Sequence, residues 1–291
     1  MIHTVGEALL DVFIRPGGQA WHMPGGSMFN TAISLGRAGE EVSFAGIAGD
    51  DHQGSYIATF LTENGAGSTH LRLIPGFRTP LALAWIDEKG EASYTFYRDE
   101  FPFQELILPD TKPGDIVLFG SFFSLHDGIH ERINSWVRKC RSNDVFAIYD
   151  PNYRLPHKSE LNRLIDRIVS NVSNADIVKG SDADFNMIFG AKSGEEAWEY
   201  IRSFGCRALV YTRGAQGVSW YSAEHQMHLP ALEVNVVSTV GAGDAFSAGM
   251  IAYLAHRRDK TEALKDERFI HGMLSEGLKF AAHVCGSDSN Y

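Results

Sequence analysis

Residues 238–249 read STVGAGDAFSAG, in which three small residues, Gly241, Ala242 and Gly243, lead into one acid, Asp244, and then into a helical pattern. Ala245, Ala248, Gly249 and Ala252 recur at i, i+3, i+4 and i+7, the spacing of one helix face. Before the turn, Val234, Val236 and Val237 have the β-branched character of a strand. A turn between such a strand and such a helix lies at a helix N-terminus, where the first amides lack intrahelical partners and the macrodipole is positive. Small residues let an anion approach those amides, so Gly241, Ala242 and Gly243 form a candidate anion cradle. Asp244 has two readings at this stage. It caps the helix and complements its dipole, or it does acid–base chemistry beside the bound anion.

Working outward, short apolar segments alternate with helical patterns. DIVLFG (115–120), VFAIYD (145–150), ADIVKG (175–180) and RALVYT (207–212) read as strands buried on both faces. The stretches between the first three are long enough for crossover helices, which predicts a three-layer α/β/α core around a mostly parallel sheet. One region breaks the rhythm: RTPLALAWIDEKGEASYTFYRDE (78–100) is two β-rich arms around the turn DEKG, a hairpin composition. With VFIRPGGQAW (12–21) it predicts a small second sheet. We read the whole of 1–291 as one domain with lid excursions at about 12–22 and 72–104.

Composition narrows the function classes. The 291 residues are 44% hydrophobic, enough for a large core. Neither a long apolar run nor a basic segment followed by an apolar one is present, so no membrane partner and a cytoplasmic location are expected. Cys140, Cys206 and Cys285 stand far apart without a C-x-x-C pair, which argues against a disulfide framework or a cysteine zinc site. A net charge of −10 disfavours nucleic acid, and it obliges any phosphate site to be built locally from amides and a few bases. No G-x-G-x-x-G opens the first βα unit and no G-x-x-x-x-G-K-[ST] occurs, which disfavours dinucleotide-binding and P-loop readings.

The second informative stretch is MPGGSMFNTAISLGRAG (23–39). Gly25 and Gly26 precede a helix whose first turn carries Asn30, and an amide that both donates and accepts suits a polyol. Asp11, at the end of the strand pattern TVGEALLD, either accepts hydroxyl hydrogen bonds or caps a turn.

Taken together, GEALLD, PGGSMFNTA, GIAGDDHQG, DPNYR, VKGSDADF, TRGAQG and VGAGDAF run the length of the chain in an order that resembles the ribokinase-like (PfkB) family of carbohydrate kinases, and fructokinases in particular. The resemblance implies an ATP-dependent kinase acting on a primary hydroxyl of a free sugar, fructose to fructose 6-phosphate. Kinases of 2-keto-3-deoxygluconate, ribose or nucleosides are the alternatives, and a sugar or nucleotide sensor without turnover is the alternative outside the enzymes. It implies that Asp244 is the general base and that Gly241, Ala242 and Gly243 are the anion hole. Asp11, Gly25, Gly26 and Asn30 fall where the family binds sugar hydroxyls. Arg98 and Arg154 fall near the substrate, although exposed structural arginines are as common.

Lys179, Ser181, Thr212, Gly214 and Gly217 fall on the nucleotide side, and Asp184 falls near the hydrated Mg2+ that accompanies ATP. At Asp184 the alternative is a helix-start acid, and at TRGAQG it is a plain hairpin turn. Ser181 and Asp184 replace an Asn and a Glu often found there, and Ser238 replaces an acid that in relatives helps hold a monovalent cation, so potassium activation is doubtful. A homodimer through the lid is a further expectation.

Overall fold

The computed structural model describes residues 1–87, 92–153, 160–287 and 291. Residues 88–90 of the expected turn DEKG, the following Glu91, and Arg154 lie outside the described residues.

The chain opens with β1 (Ile2–Val5) and leaves the core for β2 (Leu9–Ile14) and β3 (Ala20–Gly25). It returns through α1 (Ser27–Arg37), β4 (Val42–Gly49), α2 (His52–Glu63) and β5 (Ala66–Ile74). A second excursion makes β6 (Leu81–Ile86) and β7 (Ala92–Tyr97). The βα rhythm follows: β8 (Ile116–Gly120), α3 (His130–Ser142), β9 (Phe146–Asp150), α4 (Leu161–Ser173), β10 (Ile177–Ser181), α5 (Asp182–Phe189), α6 (Gly194–Ser203) and β11 (Ala208–Thr212). The hairpin strands β12 (Val218–Ser222) and β13 (Gln226–Leu229) close the sheet, and α7 (Ala242–Ala255), α8 (Lys260–Ala263) and α9 (Glu267–Cys285) complete the chain.

Among the described residues the large sheet has nine strands, in the order β13-β12-β11-β10-β9-β8-β1-β4-β5. Neighbours pair in parallel except at β12, which is antiparallel to both β11 and β13. The four strands read from 115–120, 145–150, 175–180 and 207–212 are β8 to β11, with α3 and α4 as the crossovers between the first three. Their residues are buried almost without exception because helices cover both faces. On one face Phe29, Phe44, Trp220, Phe246 and Met273 pack beneath α1, α2, α7 and α9. On the other, Phe119, Val137, Tyr149, Ile168 and Phe185 pack against α3 to α5.

The small sheet has the order β3-β2-β6-β7. Its strands extend past the expected limits, from Leu9 to Gly25, whereas residues 72–74 belong to β5 of the large sheet. Asp11 does not end the first strand. The chain breaks at Gly6–Ala8, and Asp11 lies inside β2, opposite Met23 and Ala82.

The strand expected over Val234–Val237 does not form. The amides of Val237 and Ser238 both donate to the Cys285 carbonyl at the end of α9, so this backbone finds its partners at a helix end instead of a sheet edge. Val236 and Val237 are 62% and 55% exposed. The three cysteines are free, and among the described residues no helix is long and apolar enough to cross a membrane.

The small sheet is tied to the core through Asp51. Its Oδ1 accepts from the Gly54 amide at 2.8 Å, capping α2, and from Thr79 Oγ1 at 2.6 Å, while its Oδ2 accepts from the Thr79 amide at 2.8 Å. Thr79 immediately precedes Pro80 and β6, so one carboxylate fixes a helix start and the entry to the excursion. Asp51→Ala is expected to lower stability by about 2 kcal/mol, from the lost cap and severed hinge bonds. Urea unfolding reads this, and an unchanged midpoint would show that the hinge is held by other contacts.

Candidate active site

Helix α7 begins after Gly241, whose φ of 79° places it in the left-handed region that glycine adopts freely. No side chain caps this helix. Asp244, in its first turn and 8% exposed, is held from another element altogether. Its Oδ1 accepts a hydrogen bond from Ser27 Oγ at 2.6 Å and its Oδ2 accepts one from Asn30 Nδ2 at 2.8 Å. Thr31 Oγ1 donates to the Asp244 carbonyl at 3.2 Å. The capping alternative therefore fails as an account of this side chain, although the charge still complements the helix dipole. The first turn of α1 orients the carboxylate, and the first turn of α7 brings it beside the amides of the Gly-Ala-Gly turn.

Asn30 is buried, and its Oδ1 has no hydrogen-bond partner among the described residues. A buried acceptor without a donor is uncommon and suits an incoming hydroxyl. Asp11 is also buried, beside Gly25. A side-chain carbon at Gly25 would come within 2.0 Å of Asp11 Oδ2, so only glycine fits there. Burial raises the pKa of Asp11, and the charges of Asp244 and Glu7 raise it further, to about 7. Arg98 lies 3.5 Å from Glu7 Oε1 and over the rings of Phe101 and Phe122. Its charge is thus answered by Glu7. Asp11, Glu7, Asp244 and Asn30 make this end of the site rich in acceptors, the chemistry of polyol recognition.

Near the start of α7, Lys179 Nζ donates to Asp150 Oδ2 at 2.8 Å, and both side chains are buried. The same Nζ would lie 3.3 Å from a side-chain carbon at Gly243, which puts the cation against the anion cradle. Burial works against the lysine's charge, but the Asp150, Asp244 and Asp184 carboxylates outweigh it and hold its pKa above the ordinary value.

Asp184 and Ser181 form the capping box of α5: Asp184 Oδ2 accepts from the Ser181 amide at 2.7 Å, and the Asp184 amide donates to Ser181 Oγ at 3.2 Å. Asp184 Oδ1 accepts from the Tyr153 amide at 2.7 Å. Both oxygens already have donors, so Asp184 does not fit as a direct magnesium ligand. Among the described residues no group of three His, Cys, Asp or Glu side chains could hold a metal ion. Thr212 Oγ1 donates to the Gly180 carbonyl at 3.3 Å. Gly214 and Gly217 lie in the tight turn that joins β11 to β12, as the hairpin alternative for TRGAQG had it.

Sequence reasoning missed Glu7, Ser27 and Asp150. All three lie inside quoted stretches, and Asp150 carried a signal: an acid closing an otherwise apolar strand. A cleft of about 830 Å3 is lined by Asp182, Glu195, Tyr211, Arg213, Tyr221 and His228, among others. Gln216 lines it as well as Arg213, so this cleft adjoins the turn that carries Gly214 and Gly217.

The layers, the small sheet and the helix-start carboxylate together define a ribokinase-like α/β protein. The sequence model of the pfkB family of carbohydrate kinases matches residues 2–266. The chain belongs to that family. It is 32% identical over 266 residues to the fructokinase of Rhizobium leguminosarum bv. trifolii, covering 87% of this chain and 79% of that protein. It is 26% identical over 290 residues to the aminoimidazole riboside kinase of Salmonella typhimurium, covering 98% and 88%. The crystal structure of the fructokinase from Vibrio cholerae O395 with fructose, ADP and a calcium ion shares the fold, with a TM-score of 0.88 at 22% identity, covering 99% of this chain and 94% of that one.

The raised pKa of Asp11 has a thermodynamic consequence. Between the unfolded value of 3.8 and the folded value of about 7 the folded state binds the extra proton, so Asp11 lowers stability progressively as pH rises through that window. Asp11→Asn removes the slope. It is expected to be more stable than wild type at pH 8 by on the order of 1–3 kcal/mol, with a smaller difference near pH 4. Urea unfolding at the two pH values decides, and equal stability at pH 8 would show that the buried carboxyl is compensated.

Proposed function

We propose that this protein transfers the γ-phosphoryl group of ATP to a primary hydroxyl of a free sugar, with fructose to fructose 6-phosphate as the reaction. The observation that carries the reading is the placement of Asp244, oriented by two donors from α1 at the mouth of a helix N-terminus built of small residues. Phosphoryl transfer needs positioning and charge stabilisation above all. The sugar oxygen bonds to the γ-phosphorus as the bond to the bridging oxygen of ADP breaks, and Asp244 takes the hydroxyl proton. Gly241, Ala242 and Gly243 hold the charge in flight, with Lys179 beside them. Asp11, Gly25, Gly26 and Asn30 receive the sugar, and Arg98 borders it. Thr212, Gly214, Gly217 and Ser181 border the nucleotide. Magnesium would accompany ATP, where it would neutralise phosphate charge, and Asp184 would hold it through water.

Fructose is favoured over a sugar acid because Glu7 already answers the Arg98 charge in an acceptor-rich pocket. The similarity to aminoimidazole riboside kinase supports a second reading, a riboside as acceptor. The small sheet closes over the sugar as a lid. Its exposed Trp85 and Tyr97, 55% and 58% accessible, support a homodimer through the lid. Ser238, in place of an acid, argues against activation by potassium. The free thiols suit a reducing compartment such as the cytoplasm.

A coupled assay for ADP release over a panel of fructose, ribose, 2-keto-3-deoxygluconate and aminoimidazole riboside tests the reading. Fructose is expected to give the highest kcat/KM. Turnover of another sugar alone would overturn the substrate, and no sugar-dependent ADP with any of them would favour a binding protein without turnover.

A further inference from the structure

We infer that Ser27 is a positioning residue that keeps the carboxylate of Asp244 from activating water while no sugar is bound. The inference rests on the kinase reading above, but its geometry stands apart from the choice of sugar. A general base beside an anion hole is a hazard, because water present at high concentration can take the acceptor's place. The γ-phosphorus then bonds to the water oxygen, the bond to the bridging oxygen of ADP breaks, Asp244 takes the water proton, and ATP is hydrolysed to ADP and phosphate.

The two oxygens of Asp244 are guarded differently. Oδ2 is held by Asn30, which is 6% exposed and reaches from inside the core. Oδ1 is held by Ser27, which is half-buried and stands on the flank that solvent reaches. At 2.6 Å this contact has the length of a strong hydroxyl-to-carboxylate hydrogen bond. The Ser27 hydroxyl therefore occupies a position on the base that a water or a sugar hydroxyl would otherwise take. A serine hydroxyl can turn about one bond, so it yields when a sugar arrives with several hydrogen bonds to Asp11 and Asn30. A single water brings no such set of contacts and does not displace it. Ser27 begins a helix that Phe29, Ala32 and Ile33 fix in the core from its first turn onward, so the hydroxyl is carried on a rigid element. Its phosphoryl-accepting competitor is selected by the number of contacts it makes.

Phosphate release from ATP in the absence of sugar measures this directly in the full-length protein. Ser27→Ala removes the donor and leaves room for a water at Oδ1. Its sugar-free phosphate release is expected to rise by about tenfold or more, the weight of one hydrogen bond to a charged group. Ser27→Thr, which restores the hydroxyl, is expected to return it towards wild type. Adding Asp244→Asn to Ser27→Ala is expected to abolish the gain. Should the alanine variant fold poorly, as read by its melting temperature, Ser27→Cys, close in size but a much weaker donor, gives the same readout. Unchanged hydrolysis in a folded variant, or a gain that survives Asp244→Asn, overturns the inference. The kinase reading is scored separately by sugar-dependent ADP release from the wild type, so either can fail without the other.

Discussion

The hydrogen bonds from Ser27 and Asn30 to Asp244 join the two ends of this chain, across sequence separations of 217 and 214 residues. They set the orientation of the Asp244 carboxylate before any sugar is bound. A carboxylate at a helix start is held by the dipole only weakly, with a benefit of about 0.3–1 kcal/mol. It would swing among rotamers if nothing met its oxygens. Two donors from a second helix fix both oxygens, and they can do so only if α1 and α7 pack on the same face of the large sheet. The core of Phe29, Trp220, Phe246 and Met273 supplies that packing.

The second constraint is charge. Asp11, Glu7, Asp244, Asp150 and Asp184 bring acids close together in a chain of net charge −10. One of them, Asp150, is matched by Lys179 inside the core, and removing either partner of such a buried pair typically costs about 3–5 kcal/mol because the other is left uncompensated. Glu7 is matched by Arg98. Asp11 makes no ion pair among the described residues, and burial, together with the Asp244 and Glu7 charges, raises its pKa to about 7. The pocket is strained electrostatically where an acceptor-rich surface is needed for hydroxyl groups, the usual tension between stability and function.

Much of the architecture was legible in the sequence because its signals are local. β8 to β11 are apolar on both faces, and a run such as IVLFG reports that environment without help from the rest of the chain. The face of Ala245, Ala248, Gly249 and Ala252 was legible for the same reason, and so was the extra sheet, whose strands interrupt the βα order. The β-branched stretch 234–237 misled because strand propensity needs a partner edge, and its amides bond to a helix end instead. At the site, composition singled out the small-residue turn and Asp244 but left a helix acid as the alternative, and only the resemblance to the family implied a base there. Ser27 and Glu7 were not singled out, since a serine or an acid acquires its role only from the distant group it faces, whereas Asp150 could have been found as the acid that closes an otherwise apolar strand. Asp184 shows the converse. Its spacing from Ser181 is that of a capping box, and the structure uses it as one.

The central claim is that Asp244 is a positioned base and not a structural acid, and the turnover of Asp244→Asn under saturating ATP and sugar tests it most directly. Asparagine keeps the size and can accept from Ser27, but it cannot take a hydroxyl proton at neutral pH. The account predicts a fall in kcat of roughly 10²–10⁴, the range for losing a general base, with sugar and ATP binding largely retained. A kcat within about threefold of wild type, far inside that range, would contradict it.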